Sequence, residues 1–282
     1  MSPKKRTSHG RRPLAPVVAI SSGKGGVGKT TVVANLSVAL AQLGLRVTVL
    51  DGDMSLANID VLFGLTPDRT IEDFFAEEIS LSDLLISGPS GVQMIPGGSG
   101  LPDLAALPAE RLLRFAVEIA RLRESCDVLL LDTPAGISPQ VLRLLRLADR
   151  VLLVAWPEPA SLVDAYALIK LLNARRPTPA LGVIVNGARD RHEATRVHAR
   201  LRTACSHFLG FGLELEGWIL RDESVPIAAR NQRPVILSEP NSPASRGFAR
   251  LAQRIAVHAG RAGGGKHKMP CPEGTKRTEV IH

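Results

Sequence analysis

Eight residues constrain this chain more than any others: Gly23-Lys24-Gly25-Gly26-Val27-Gly28-Lys29-Thr30. They fit the pattern G-x-x-x-x-G-K-[ST], with an apolar run (Val17 to Ile20) before them and a helical pattern after. Such a loop works only where a strand delivers it to the N-terminus of a helix. Its glycines let successive backbone N–H groups turn inward, and the free amides of the helix start add partial positive charge. The product is a concave anion site. In that pattern Lys29 reaches the β- and γ-phosphates and the Thr30 hydroxyl ligates Mg²⁺, with Thr31 beside it. A plain glycine-rich turn with two solvated lysines is the blander reading, and it leaves the flanking strand and helix unexplained. The stretch is read as a nucleotide site.

The rest of the chain alternates strand and helix. Val17 to Ser21 is a strand buried on both faces, because its apolar run is unbroken. A helix follows from about Thr30 to Leu43 and stops at Gly44, a residue suited to the left-handed position after a helix. Val47 to Leu50 forms the next strand and ends at Asp51-Gly52-Asp53. A parallel sheet places its chemistry at such carboxyl ends, although two acids there could equally cap a helix at Asp53 or Ser55. A helix led by Thr70, a strand from Val92 to Ile95 and a Gly/Pro/Ser stretch from Pro96 to Pro102 form an insertion. The helix from about Pro108 to Glu124 aligns Leu112, Ala116, Ile119 and Ala120 on one face. Its pairs Glu110–Arg114 and Arg114–Glu118 are assigned to the wet side.

Asp127 to Asp132 is a strand ending in an acid, followed by Thr133-Pro134-Ala135-Gly136-Ile137. Further strands run from Val151 to Ala155, Leu181 to Asn186 and Leu215 to Leu220, and Ser242-Pro243 opens a final helix with Phe248, Leu251, Ala252 and Ile255 on one face. Asn186 can donate and accept at once, though an Asn before Gly187 is also a turn former. The predicted fold is α/β, a P-loop NTPase: a mostly parallel twisted sheet with helices on both faces, three layers joined by right-handed crossovers.

Charge divides the chain. The net charge is +8. Residues 1–13 hold Lys4, Lys5, Arg6, Arg11 and Arg12 with no acid, and residues 261–282 hold five basic residues against Glu273 and Glu279. The remaining 25 basic and 25 acidic residues balance. Residues 1–15 and 261–282 are therefore expected to be disordered basic arms around a domain spanning 16–260. No apolar run approaches the length of a spanning helix, and the first apolar stretch runs straight into the loop, unlike a signal peptide. Cys126, Cys205 and Cys271 fit no zinc spacing and are read as free thiols of a cytoplasmic protein.

The loop carries a lysine at each end. This double-lysine form resembles the deviant Walker A of the MinD/ParA group of P-loop ATPases, whose first lysine crosses a dimer interface to the partner's nucleotide. The resemblance extends through five ordered motifs over about residues 14–258. Asp51-Gly52-Asp53 and the run to Leu65 resemble the family's switch I, which implies that Asp53 orients the attacking water and Asp51 supports the magnesium shell. The strand ending at Asp132 is similar to a Walker B, with Asp132 on Mg²⁺ through water, and Gly136 stands where the switch II amide senses the γ-phosphate. Asn186 stands where the family reads the adenine edge. Ile219 to Val225 resembles the loop over the base, with Leu220 at a position that is usually proline. The nucleotide set implied is Gly23, Lys24, Gly25, Gly26, Val27, Gly28, Lys29, Thr30, Thr31, Asn186 and Leu220, with ATP and Mg²⁺ as cofactors.

Within the group, the run Leu56 to Leu62, Glu158-Pro159 and Asp164 to Lys170 look most like the flagellar-number regulators, the FlhG/FleN branch. That implies an ATP-dependent homodimer acting on the SRP-like GTPase FlhF or on a flagellar transcription activator. It implies a cytoplasmic protein that can sit at the inner membrane or cell pole. Two departures stand out. The basic arm lacks the branch's Asp-Gln-Ala-type segment, and Gly263-Gly264-Gly265, Pro270 and Pro272 would break a terminal amphipathic membrane helix. Membrane association is therefore doubtful. The rivals are a ParA-type partition ATPase using its basic tails on nucleoid DNA, a MinD-like septum-site determinant, and a nucleotide-stabilised binding protein with negligible turnover. Iron–sulfur relatives are excluded because Asp132 to Gly136 contains no cysteine.

Overall fold

The computed structural model describes residues 14–53, 57–77, 79–98, 108–174 and 178–262. Residues 1–13 and 263–282 of the two basic tails, Met54 to Leu56 of the switch I run and most of the Pro96–Pro102 stretch lie outside the described residues. The fold is already under way at Ala15. That residue is buried, its N–H donates to the Arg123 carbonyl at 3.1 Å, and its carbonyl accepts from Arg123 Nε at 2.6 Å. The expected boundary after residue 15 therefore moves to a position before it.

Eight strands form one sheet: β1 (Val17–Ser21), β2 (Val47–Asp51), β3 (Ile86–Ser87), β4 (Gln93–Ile95), β5 (Val128–Asp132), β6 (Arg150–Ala155), β7 (Ala180–Ala188) and β8 (Glu214–Leu220). Their spatial order is β3-β4-β2-β5-β1-β6-β7-β8, and every pairing is parallel except β3 with β4. The central strand β1 comes from an unbroken apolar run and is flanked on both sides by β5 and β6. Its residues alternate as a pleated strand must. Val17 and Ala19 enter one core, and Val18 and Ile20 enter the other.

The first core lies under α3 (Ile71–Ala76), α4 (Ala109–Ser125), α5 (Pro139–Leu144), α6 (Pro159–Asn173) and α7 (Arg191–Leu209). The second lies under α1 (Lys29–Gln42), α2 (Ile59–Phe63), α8 (Ser224–Arg230), α9 (Val235–Ser238) and α10 (Pro243–Ala262). This is the predicted three-layer α/β architecture. The final helix α10 lays Phe248, Leu251, Ala252 and Ile255 onto α1 and β8, so its apolar face is spent on the protein. Among the described residues no helix is long and apolar enough to cross a membrane.

The face of α4 differs from its sequence pattern. Phe115, Ile119 and Leu122 are its buried apolar residues, whereas Ala120 is exposed. Arg114 and Glu118, assigned to the wet side, turn inward. Arg114 donates to the carbonyls of Phe74, Glu77 and Ile79 and lies over the Phe74 ring at 4.3 Å. Glu118 is buried, accepts the Leu81 N–H at 3.1 Å and pairs with Arg121. The segment from α3 to the 3₁₀ turn Leu81–Leu84 covers them, and its unpaired backbone groups are what they satisfy.

Candidate functional site

The carboxyl ends of β1, β2, β5, β6 and β7 meet at the phosphate loop. After β1 the chain runs through Gly23 to Gly28 and enters α1 at Lys29. Gly26 and Gly28 have φ of 77° and 83°, left-handed values that glycine alone adopts without strain. A Cβ at Gly25 or Gly26 would meet nothing within 4 Å, so the loop's concave side is open space. Gly23 is different. A Cβ there would stand 2.2 Å from the Asp164 carbonyl oxygen, because α6 packs directly on the loop backbone.

The two lysines of the loop have separate surroundings. Lys29 is 8% exposed and its Nζ lies 3.3 Å from Asp132 Oδ1. Lys24 is half-exposed at the rim, where its Nζ pairs with Glu158 Oε1 at 2.7 Å. That hydrogen bond and charge raise the Lys24 pKa. Glu158 is a site residue that no motif marks, although Glu158-Pro159 is among the features that resemble the flagellar-number regulators.

Asp51 and Asp132 end neighbouring strands in direct register, and both side chains are fully buried. Burial pushes the Asp51 carboxyl up to about 8, with the nearby Asp132 charge acting in the same direction. Asp132 is raised too, chiefly by burial, against the lowering pull of Lys29 and of a hydrogen bond from Thr30. Asp51 Oδ1 accepts from the Asp53 N–H at 3.1 Å, while Oδ2 accepts from Asn58 and Ile59, each at 3.2 Å. Asp51 therefore reaches the first amides of α2, and Ser55, one of the two expected caps, lies outside the described residues. Asp53 is half-buried beside Asp51.

Asp132 Oδ2 is buried without a hydrogen-bond partner. Two buried carboxylates, one with an orphaned oxygen, beside a Thr hydroxyl at a helix start form an all-oxygen donor set suited to a hard divalent cation. The residues fit Mg²⁺ together with a phosphate chain in the loop. Thr30 and Asp132 would hold the cation, Asp51 would support them, and the loop amides with Lys29 would hold the phosphates. A cation bound there supplies charge neutralisation on the transferring phosphoryl group.

The remaining expected residues lie close by. Thr133, buried behind the loop, donates to the Ile20 carbonyl and contacts Ser21 Oγ. Gly136 has φ 101°, and its amide donates to the Ser22 carbonyl at 2.8 Å, which ties switch II to the loop backbone. Thr31 uses its carbonyl to accept from Asn35 Nδ2 at 2.9 Å. Asn186 lies inside β7 rather than at its end, since the strand continues to Ala188 through a register shift. Its Nδ2 donates to the Val27 carbonyl at 2.9 Å, which brings it to the loop. Leu220 pairs with Ala188 at the end of β8 and packs against the α6–α7 core. Cys126 and Cys205 are buried free thiols.

Comparison with known proteins agrees with this geometry. The CobQ/CobB/MinD/ParA nucleotide binding domain matches residues 18–235. Antiactivator FleN of Pseudomonas aeruginosa is 42% identical over 85% of this chain and 85% of its own length. The flagellum site-determining protein YlxH of Helicobacter pylori is 34% identical over 65% of this chain and 62% of its own. Among solved structures, septum site-determining protein MinD complexed with Mg-ADP, from Pyrococcus horikoshii, superposes with a TM-score of 0.70 at 26% identity. The match covers 88% of this chain and 99% of that one.

Proposed function

The chain belongs to the CobQ/CobB/MinD/ParA family of nucleotide-binding proteins, and from that footing we propose that it is an ATP-dependent dimerisation switch. Its output is the regulation of flagellar number or flagellar gene expression, a reading supported by the 42% identity to the FleN antiactivator over most of both chains. One observation carries the switch. Two lysines of a single loop are placed for different tasks, Lys29 buried against Asp132 and Lys24 at the exposed rim on a breakable ion pair. Lys29 serves the subunit's own nucleotide. Lys24 is in position to be exchanged onto the nucleotide of a second copy.

The reaction is phosphoryl transfer from ATP to water. Loop amides and Lys29 hold the phosphates, and Asp53 orients the attacking water. Thr30 and Asp132 would hold the cation with Asp51 in support, and the cation would neutralise charge on the transferring phosphoryl group. Gly136 exchanges its Ser22 carbonyl for a γ-phosphate oxygen, which makes switch II sensitive to the nucleotide state. The chemistry is positioning and charge stabilisation, so turnover without a partner is on the order of 10⁻⁴–10⁻² s⁻¹. The partner is FlhF or a flagellar transcription activator, met in the cytoplasm or at the cell pole.

Size-exclusion chromatography with light scattering, in ADP or ATP with Mg²⁺, tests the switch on wild type and Asp53→Ala. A dimer with ATP only, accumulated further by Asp53→Ala, is the expected result. Monomers in every state would overturn the dimer and leave a nucleotide-stabilised binding protein.

A further inference from the structure

The turn that joins β6 to α6 touches the nucleotide site twice. Glu158 holds Lys24 at the phosphate end. Two residues earlier, the Trp156 ring lies against Gly187. A Cβ at Gly187 would stand 2.1 Å from Trp156 Cη2 and 2.2 Å from Cζ3, so the indole occupies the space a side chain there would need. Gly187 has φ 75° and lies where β7 slips its register against β8, between Asn186 and Ala188. A left-handed glycine has little conformational preference of its own, and at this slip in the β7–β8 ladder the ring packed on it holds the strand on its open face. Trp156 is itself pinned, since its N–H donates to Ser161 Oγ at 2.9 Å and its carbonyl accepts the Glu158 N–H at 2.8 Å.

The residue beside Gly187 in the strand is Asn186. A carbonyl partner requires a donor, so the bond from Asn186 Nδ2 to Val27 O sets which way the amide faces. That leaves one N–H and the Oδ1 acceptor side by side. This pair is complementary to the N6–H/N7 edge of adenine and mismatched to guanine, which offers two acceptors, O6 and N7.

We propose that Trp156 is the positioning residue for base selection in this chain. By filling the space over Gly187 it holds the slipped stretch of β7 that aims the Asn186 amide, and so makes the site select adenine over guanine nucleotides. The inference rests on the assignment of Asn186 to the base.

The test is calorimetric titration of the full-length protein with Mg-ADP, Mg-GDP and Mg-pyrophosphate, for wild type, Trp156→Ala, Trp156→Phe and Asn186→Ala. Wild type is expected to prefer ADP. Trp156→Ala should narrow the ADP-to-GDP preference about tenfold, the scale of one well-placed hydrogen bond, with pyrophosphate affinity within about twofold of wild type. Trp156→Phe, which keeps a ring over Gly187, should restore most of the preference. If Trp156→Ala does not fold, Trp156→Leu takes its place with the same expected result. An unchanged ADP-to-GDP ratio, or an equal loss for all three ligands, would overturn the role of Trp156. Retention of the preference in Asn186→Ala would instead overturn the base assignment itself. Loss of the preference in Asn186→Ala but not in Trp156→Ala would remove the tryptophan inference alone.

Discussion

Lys24 Nζ lies 2.7 Å from Glu158 Oε1, joining the first lysine of the phosphate loop to the turn that opens α6. Both side chains are more than 40% exposed. An exposed ion pair contributes little and is weakened by salt, so it restrains Lys24 without locking it. Replacing Glu158 by Gln removes the competitor for Lys24. The dissociation constant of the ATP dimer is expected to fall about two- to fivefold at low salt, with the difference shrinking in high salt, as read by light scattering over a dilution series. A weaker dimer in Glu158→Gln would mean that the carboxylate serves the partner's lysine.

Gly23 places α6 in contact with the loop, and its replacement tests how far the site depends on that contact. The Cβ of Gly23→Ala would stand 2.2 Å from Asp164 O and 2.8 Å from Ala165 N, both backbone atoms of α6. Loop or helix must shift, at a stability cost of about 1–3 kcal/mol. Loss of even one charge-assisted hydrogen bond to phosphate would lower Mg-ADP affinity about tenfold or more. Gly212→Ala, in the connection between α7 and β8, is the control, because its Cβ would meet nothing within 4 Å. Equal affinities for the two variants in calorimetry would show that α6 does not position the loop.

The buried carboxylates at the ends of β2 and β5 set a pH dependence. Asp51 is raised to about 8 by burial and by Asp132, so the folded protein keeps a proton that the unfolded chain releases near pH 4. Stability from this group is then greatest at low pH and is lost as the pH rises towards 8. Asp51→Asn removes that loss. In chelator-containing buffer without nucleotide, the melting temperature of Asp51→Asn should exceed that of wild type by a margin that widens from about pH 5 to about pH 8. The same variant should weaken Mg-nucleotide binding. A margin independent of pH would contradict the raised carboxyl.

Glu216 carries a structural load far from the loop. Its side chain is fully buried, paired with Arg150, and lies 3.3 Å from Arg254 of α10. Glu216→Ala leaves Arg150, itself only 16% exposed, with the more exposed Glu214 carboxylate at 3.4 Å as its remaining ion-pair partner. Breaking a buried pair in this way costs about 3–5 kcal/mol. Urea unfolding checks the figure, and Arg150→Met combined with Glu216→Leu should recover much of the loss. A change below about 1 kcal/mol in the single variant would place the pair in effectively aqueous surroundings.

Much of the fold and part of the site could be read from local pattern. The β1 run, the loop and the helix after it occupy adjacent residues, and a glycine-rich phosphate loop needs only that adjacency. Asp132 is legible because a strand and its terminal acid are one continuous segment. The apolar face of α10 is legible because Phe248, Leu251, Ala252 and Ile255 recur at helical spacing. The charged residues of α4 were misread for the complementary reason. Arg114 and Glu118 have the spacing of a solvent face, but the backbone of residues 74–81 covers them, and helical periodicity carries no information about a covering segment.

The order of strands and helices, the anion-binding loop and the acids at the strand ends are therefore legible in the chain, because each is set by residues close together in it. The contacts of Glu158 with Lys24, of Asp51 with the first amides of α2, and of Trp156 with Gly187 belong to the folded chain. These contacts arise where separate crossovers return to one edge of the sheet. Their geometry depends on strand order and on how each turn leaves its strand, and no local spacing encodes either.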